Sequence, residues 1–126
     1  HVGNYPGVTV EKKEGSSVPV LVWKITEYDE ARLDRYEGYP TFYYKDIMNV
    51  EVFSLLGDVS LGRVDATIYI MHEERKLGMP SLHYYEVCLD GYAHFGFDPS
   101  FLENALTDSV GKRYASKLLK EVGLNE

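Results

Sequence analysis

The stretch Leu33–Pro40, with the sequence LDRYEGYP, marks the end of a predicted helix and the start of an aromatic segment. A glycine and a proline follow Glu37, so Glu37 is expected in the last turn, beside carbonyl groups without a partner in the helix. Those carbonyls carry partial negative charge, and together with the neighbouring rings they should raise the pKa of Glu37. Such a carboxyl is a candidate general acid or base near neutral pH; the alternative is a solvated surface glutamate.

The chain before this stretch predicts a strand followed by a short helix. The run Val18–Ile25 is almost unbroken apolar sequence, which is typical of a strand covered on both faces. Thr26 and Asp29 have the spacing of a capping box and predict the first turn of the helix. Gly38 is the expected left-handed residue that ends it.

The chain after this stretch predicts a β-hairpin. Tyr43–Leu55 and Gly62–Met71 alternate apolar and polar residues, and Gly57 and Asp58 between them form a turn signal. The apolar positions predicted to share one face of the first strand are Met48, Val50 and Val52.

The last third of the chain predicts helices. Ser81 is a predicted N-cap for a helix with apolar residues at helical spacing. The members of this predicted stripe are Tyr84, Val87, Cys88, Gly91 and Phe95. Pro99 suits the first turn of a further helix, and residues 110–126 are predicted to form a C-terminal helical extension. A length of 126 residues fits a single domain over residues 1–126.

Composition narrows the partners and the compartment. The net charge is −7 and no block of basic residues occurs, so nucleic acid is not expected as a partner. No apolar run approaches the roughly 20 residues of a membrane span, so no membrane partner is expected either. Cys88 is the single cysteine, which excludes an internal disulfide and fits a reducing cytoplasm. The histidines have no metal-ligand spacing, and His72-Glu73-Glu74 is not an HExxH motif, so no metal site is expected.

The pattern Leu33-Asp34-x-x-Glu37-Gly38 resembles the signature of the gamma-glutamylcyclotransferase-like family. Other pieces, in the same order as in that family, extend the resemblance over roughly residues 5 to 106. They are Val18–Ile25, Tyr43-Tyr44-Lys45, Ala66–Met71, and Pro80–Tyr84 followed by Gly91. The resemblance implies an α+β fold, a small mixed barrel-like sheet with flanking helices.

The resemblance also implies a reaction. The α-amine of a γ-glutamyl group attacks its own side-chain carbonyl, which forms 5-oxoproline and releases an amine or amino acid. Glu37 matches the catalytic glutamate of the family by its place in the motif, and the reaction requires no cofactor and no metal. The expected partner is thus a small-molecule γ-glutamyl substrate.

Three tyrosines are expected as substrate-binding walls: Tyr43 at the start of the first hairpin strand, Tyr69 in the second, and Tyr84 in the helix after Ser81. Each hydroxyl has the donor and acceptor capacity to bond a substrate amide or carboxylate. The alternative for each is a core tyrosine. Asp34 is either a second carboxylate of the site or the partner of Arg35 or Lys45.

One departure from the family concerns its N-terminal strand and Tyr-Gly-Ser/Thr turn, whose backbone N–H groups hold the substrate α-carboxylate. No such turn occurs here, and the glycine-rich Gly3–Gly7 does not match it. We therefore expect that strand and loop to be missing and a sheet edge to be open, which together with the family suggests a homodimer. The alternatives are a non-catalytic small-molecule binding module and an amidase-like transferase acting on γ-glutamyl amines.

Overall fold

A computed structural model describes residues 9–74, 76 and 78–125 of the chain. The described residues form two compact units, one of residues 20–72 and one that combines residues 9–19 with those described from 73 onwards. The elements are α1 (Glu27–Tyr36), β1 (Tyr43–Phe53), β2 (Ser60–Met71), α2 (Leu82–Phe95), α3 (Ser100–Val110) and α4 (Lys112–Asn125). This composition confirms the α+β class. The barrel-like, mixed form is not confirmed, because the sheet of the described residues has two antiparallel strands.

Helix α1 begins and ends at the predicted signals. The backbone N–H of Asp29 donates to Thr26 Oγ1 at 3.1 Å, and the backbone N–H of Thr26 donates to Asp29 Oδ2 at 3.0 Å. At the other end Gly38 has φ +64°, and a Cβ built on it would lie 2.5 Å from Cδ2 of Phe42. Both the backbone angle and the contact with Phe42 therefore require glycine at this helix end.

The hairpin has the predicted strands and face pattern. β1 and β2 are antiparallel, with Lys45 opposite Tyr69. Val52 pairs with Gly62 and Phe53 with Ser60, so one extra residue forms a bulge near the turn. Along β1, the predicted apolar face is half-buried and the residues of the alternate face are exposed; the half-buried ones are Met48, Val50 and Val52.

The predicted strand Val18–Ile25 is wrong. Residues 18–25 belong to no strand, and most of their side chains are exposed, with Trp23 at 71%. An apolar run becomes a strand only where a neighbouring strand supplies backbone hydrogen bonds. Among the described residues, the one sheet consists of β1 and β2 alone. Residues 3–7 lie outside the described part of the chain, and the open sheet edge stays a prediction.

The helical unit is built from α2, α3 and α4 around one apolar core. Its buried residues are Tyr85, Leu102, Leu106, Ala115, Leu118 and Val122. In the C-terminal segment, helix α4 spans Lys112–Asn125. The predicted stripe on α2 is wrong in part: Val87 is 55% exposed, whereas Tyr85 is 2% exposed and faces the core. Tyr84 and Tyr85 both fit a helical apolar pattern, and packing within the helical unit buries the second.

Candidate active site

Glu37 is the C-terminal capping residue of α1, as the sequence predicts. Its backbone N–H donates to the carbonyl of Leu33 at 2.8 Å, and its φ of −79° and ψ of −5° continue the helical course. Asp34 and Glu37 therefore lie about one helical turn apart on the same face. The side chain of Glu37 is half-buried, and this burial raises the pKa of its carboxyl.

The Glu37 carboxyl has no hydrogen bond or ion pair to any residue that the structure describes. Burial is the cause of its raised pKa, without a contribution from a neighbouring charge. The ion pairs of the same helix face involve Glu30 and Asp34 instead. Glu37 is thus a partly dehydrated carboxyl that can still bond a cationic or N–H-bearing ligand.

Lys45 on β1 forms ion pairs with the two carboxylates that precede Glu37 on this face. Its Nζ lies 3.0 Å from Oδ1 and 3.1 Å from Oδ2 of Asp34, and 3.2 Å from Oε1 of Glu30. The ring centroid of Tyr39 lies 4.5 Å from the same Nζ, a cation–π distance. The contacts with Asp34 and Glu30 raise the pKa of Lys45, with the Asp34 hydrogen bond as the main cause.

Tyr69 on β2 joins the same carboxylate. Its hydroxyl donates to Oδ1 of Asp34 at 2.5 Å. This bond is the main cause of a lowered Asp34 pKa, and Lys45 lowers it further. Burial, followed by the bond to Asp34, raises the pKa of Tyr69 to about 12. Asp34 is therefore ionised and Tyr69 protonated over the whole physiological range.

The register of the hairpin brings these groups together. Lys45 and Tyr69 are directly opposite each other in the β1–β2 pair, so both side chains leave the same face of the sheet. Residues two apart on a strand share a face, so Tyr43 lies on this face as well. A slip of one residue between the strands would place Tyr69 on the opposite face of the sheet from Lys45.

The remaining predicted tyrosines have different settings. Tyr43 begins β1 opposite Met71, in the unit that contains Glu37. Tyr44, the next residue of β1, lies with its ring centroid 5.3 Å from that of His72. Tyr84 lies in the first turn of α2 in the helical unit, where its backbone N–H donates to Ser81 Oγ at 3.1 Å. The structure thus groups Glu37, Tyr43 and Tyr69 in one unit, and Tyr84 belongs to the other.

Three features of the site were missed or left open by the sequence. The partner of Asp34 is Lys45 rather than Arg35, which the sequence had left as alternatives. The bond from Tyr69 to Asp34 and the ring of Tyr39 on Lys45 have no local signal, because they join residues on separate elements.

Within the described residues, no group of three or more histidine, cysteine, aspartate or glutamate side chains is placed to hold a metal ion.

Comparison with known families gives one match. Residues 1–86 match the family described as gamma-glutamyl cyclotransferase, AIG2-like, a range that includes α1, both hairpin strands and the first residues of α2. Comparison with curated proteins and with solved structures gave no significant match. In the described part of the chain, no helix combines the length and apolar character needed to cross a membrane. Because the match covers 86 of 126 residues, the chain belongs to the gamma-glutamyl cyclotransferase, AIG2-like family, which supports an enzyme of cyclotransferase type.

Proposed function

We propose that this protein is an intramolecular cyclotransferase that converts a γ-glutamyl amino acid or amine to 5-oxoproline and releases the free amine. Glu37 is the general acid and base of the reaction. The observation that carries the proposal is the half-buried carboxyl of Glu37, which has a raised pKa and no ion pair to any described residue. Its place at the end of α1 within the family match supports the same role.

The reaction needs one group that moves protons. The α-amine forms a bond to the side-chain carbonyl carbon, and the bond from that carbon to the leaving nitrogen breaks. Glu37 takes a proton from the substrate ammonium and gives it to the leaving nitrogen. The ring nitrogen loses a second proton after it has attacked, and Glu37 passes this proton to the released amine, which departs as an ammonium, so the enzyme is regenerated. Ring closure within one molecule supplies the proximity of the reacting atoms, which leaves folding of the substrate and proton transfer to the protein.

The charges on α1 favour a substrate with an ammonium group. Glu30 and Asp34 are already paired with Lys45, and their charges are balanced in part within the protein. Glu37 is the carboxyl of this face that has no such cation among the described residues. A bound ammonium would compensate its burial, because an opposite charge favours the ionised carboxylate. Tyr43 and Tyr69, on the sheet face that carries Lys45, are the proposed walls of the substrate site.

The test is release of 5-oxoproline from a panel of γ-glutamyl amino acids and γ-glutamyl amines. We expect the wild-type protein to release it, and Glu37→Gln to reduce kcat by about 10²- to 10⁴-fold, the usual contribution of a general acid or base. The matched control is Glu27→Gln, an exposed glutamate in the first turn of the same helix, which should retain activity. Full activity of Glu37→Gln would refute the role of Glu37. Binding of the panel compounds without release would favour a binding module instead.

A further inference from the structure

The hydroxyl of Tyr69 has its single proton committed to Asp34. A tyrosine hydroxyl has one O–H to donate and lone pairs with which to accept. Asp34 is ionised, so it can only accept, and the hydrogen bond between them runs from Tyr69 to Asp34. Towards any further partner, Tyr69 therefore offers lone pairs alone. A substrate carboxylate or carbonyl oxygen could not form a hydrogen bond with these lone pairs, whereas a substrate N–H group could donate to them.

Lys45 fixes the orientation of the Asp34 carboxylate that accepts the hydrogen bond from Tyr69. Its Nζ contacts both oxygens of Asp34, which fixes the plane of the carboxylate from the side of β1. The Tyr39 ring and Glu30 hold the ammonium group in turn. Lys45, held by Tyr39 and Glu30, thus fixes the Asp34 carboxylate, and the carboxylate fixes the direction of the Tyr69 proton.

The Tyr69 hydroxyl contacts the last turn of α1, which Glu37 caps, and this contact relates the hydroxyl to the reacting atoms of the proposed reaction. Asp34 and Glu37 are three residues apart on α1, a rise of about 4.5 Å along the helix axis. The hydroxyl of Tyr69 contacts Asp34, which precedes Glu37 by about one helical turn. In the proposed reaction, the attacking amine and the leaving nitrogen both bond to one carbonyl carbon, so a substrate held by Glu37 brings both nitrogens to this region.

We propose that Tyr69 accepts a hydrogen bond from the N–H of the scissile amide, and that Asp34 and Lys45 are positioning residues that keep its lone pairs turned to the substrate. This inference rests on the proposed function. The N–H becomes a stronger donor as Glu37 protonates the leaving nitrogen, so the bond strengthens in the transition state and should affect kcat. The specificity that follows is for γ-glutamyl derivatives of primary amines, because those of secondary amines have no N–H at this nitrogen.

The experiment compares two substrates that differ at this nitrogen, γ-glutamyl-alanine and γ-glutamyl-N-methylalanine. We expect wild-type kcat/KM to be at least about 10-fold higher for the first, the effect of one hydrogen bond to a group that gains charge. Tyr69→Phe should lower kcat on γ-glutamyl-alanine by a similar factor and reduce the preference between the two substrates. The control is Tyr28→Phe, an exposed tyrosine on α1, which should keep both the rate and the preference.

The positioning role has its own readouts. Lys45→Met and Asp34→Asn should reduce the preference for the substrate with an N–H group. Lys45→Arg keeps the positive charge beside Asp34 and should retain the wild-type preference. The titration of Tyr69, followed by NMR with a ¹³Cζ label, should show a lower pKa in Asp34→Asn than the value of about 12 in the wild type.

The outcomes separate this inference from the proposed function. Wild-type activity with an unchanged substrate preference in Tyr69→Phe would overturn the inference and leave the proposed function in place. A wild-type protein that releases 5-oxoproline from neither these substrates nor the panel would overturn both. A titration of Tyr69 that does not respond to Asp34→Asn would overturn the positioning role of Asp34.

Discussion

Asp34 and Glu37 lie one turn apart on α1, and their surroundings shift their pKa values in opposite directions. Asp34 accepts hydrogen bonds from Tyr69 and Lys45, which lower its pKa. Glu37 is half-buried without such partners, and its pKa is raised. The same helix face thus carries Asp34, which stays ionised because Tyr69 and Lys45 donate to it, and Glu37, which can exchange protons because no described residue donates to its carboxyl.

The raised pKa of Glu37 predicts how its replacement changes stability with pH. A carboxyl whose pKa rises on folding contributes stability at low pH that is lost as the pH rises through the folded-state pKa. We therefore expect Glu37→Gln to be at least as stable as the wild type at pH 7, with a relative advantage that shrinks as the pH falls below that pKa. Thermal unfolding of both proteins between pH 4 and pH 8 measures this difference. A variant less stable than the wild type at pH 7 would mean that the carboxylate makes a stabilising contact.

Gly38 should tolerate no side chain. We expect Gly38→Ala to lower the free energy of unfolding, because a left-handed backbone costs a non-glycine residue about 1–2 kcal/mol and the new Cβ would clash with the ring of Phe42. Gly57→Ala is the matched control, since Gly57 has φ +75° and no heavy atom within 4 Å of a built Cβ. Denaturant unfolding should show a larger loss for Gly38→Ala; equal losses would show that the Phe42 contact adds nothing.

At the scale of elements, local signals predicted α1 and the hairpin. The capping box at Thr26 and the stop at Gly38 act within one or two turns, and strand alternation with the Gly57-Asp58 turn specifies β1 and β2. The run Val18–Ile25 has the composition of a covered strand, but pairing depends on distant residues that composition does not specify. The contact between Asp34 and Tyr69 spans 35 residues and likewise has no local signal. Sequence therefore predicted the position of Glu37 and its raised pKa, but not the bond from Tyr69 to Asp34.

The ion pair between α1 and β1 predicts a second pH dependence. Lys45→Met removes the cation shared by Asp34 and Glu30, so we expect a lower Tm at pH 7 than in the wild type. Because folding lowers the pKa of Asp34, its ionised carboxylate stabilises the folded state at pH values above the ordinary aspartate pKa. This stabilisation is lost as the pH falls through the folded-state pKa of Asp34. The difference in Tm between variant and wild type should therefore shrink as the pH falls through the lowered pKa of Asp34. Lys24→Met, at an exposed lysine in the same unit, is the control; equal Tm values for the two variants at pH 7 would contradict the role of the pair.

At the scale of the whole chain, the two compact units differ in how they relate to the family. The unit of residues 20–72 lies entirely within the matched range and contains Glu37, Asp34, Lys45 and Tyr69. The family match ends at residue 86, so α3 and α4 lie beyond it, and with them much of the core around Leu106. The single-domain assignment stays a prediction.

The core of the helical unit contains the hydroxyl oxygen of Tyr85, and we expect its removal to stabilise the fold. Tyr85 is 2% exposed, and its hydroxyl has no hydrogen-bond partner among the residues that the structure describes. We expect Tyr85→Phe to keep or raise the free energy of unfolding, by about 1 kcal/mol, because a buried hydroxyl without a partner is costly. Leu106→Ala should lower it by about 2–5 kcal/mol, which shows that the measurement senses this unit. A clear loss in Tyr85→Phe would reveal a hydrogen bond of the hydroxyl.

The pairing of Lys45 and Tyr69 across the hairpin has a consequence for how the family can diverge. Both reach one carboxylate on another element, so a mutation at position 34 removes the shared partner of Lys45 and Tyr69, and a mutation at 45 or 69 removes one of the two donors to Asp34. Natural selection should then act on the three positions as one heritable unit. Among related sequences, lineages that replace Asp34 by an apolar residue are expected to have also exchanged Lys45 and Tyr69, while positions 28 and 36 drift independently.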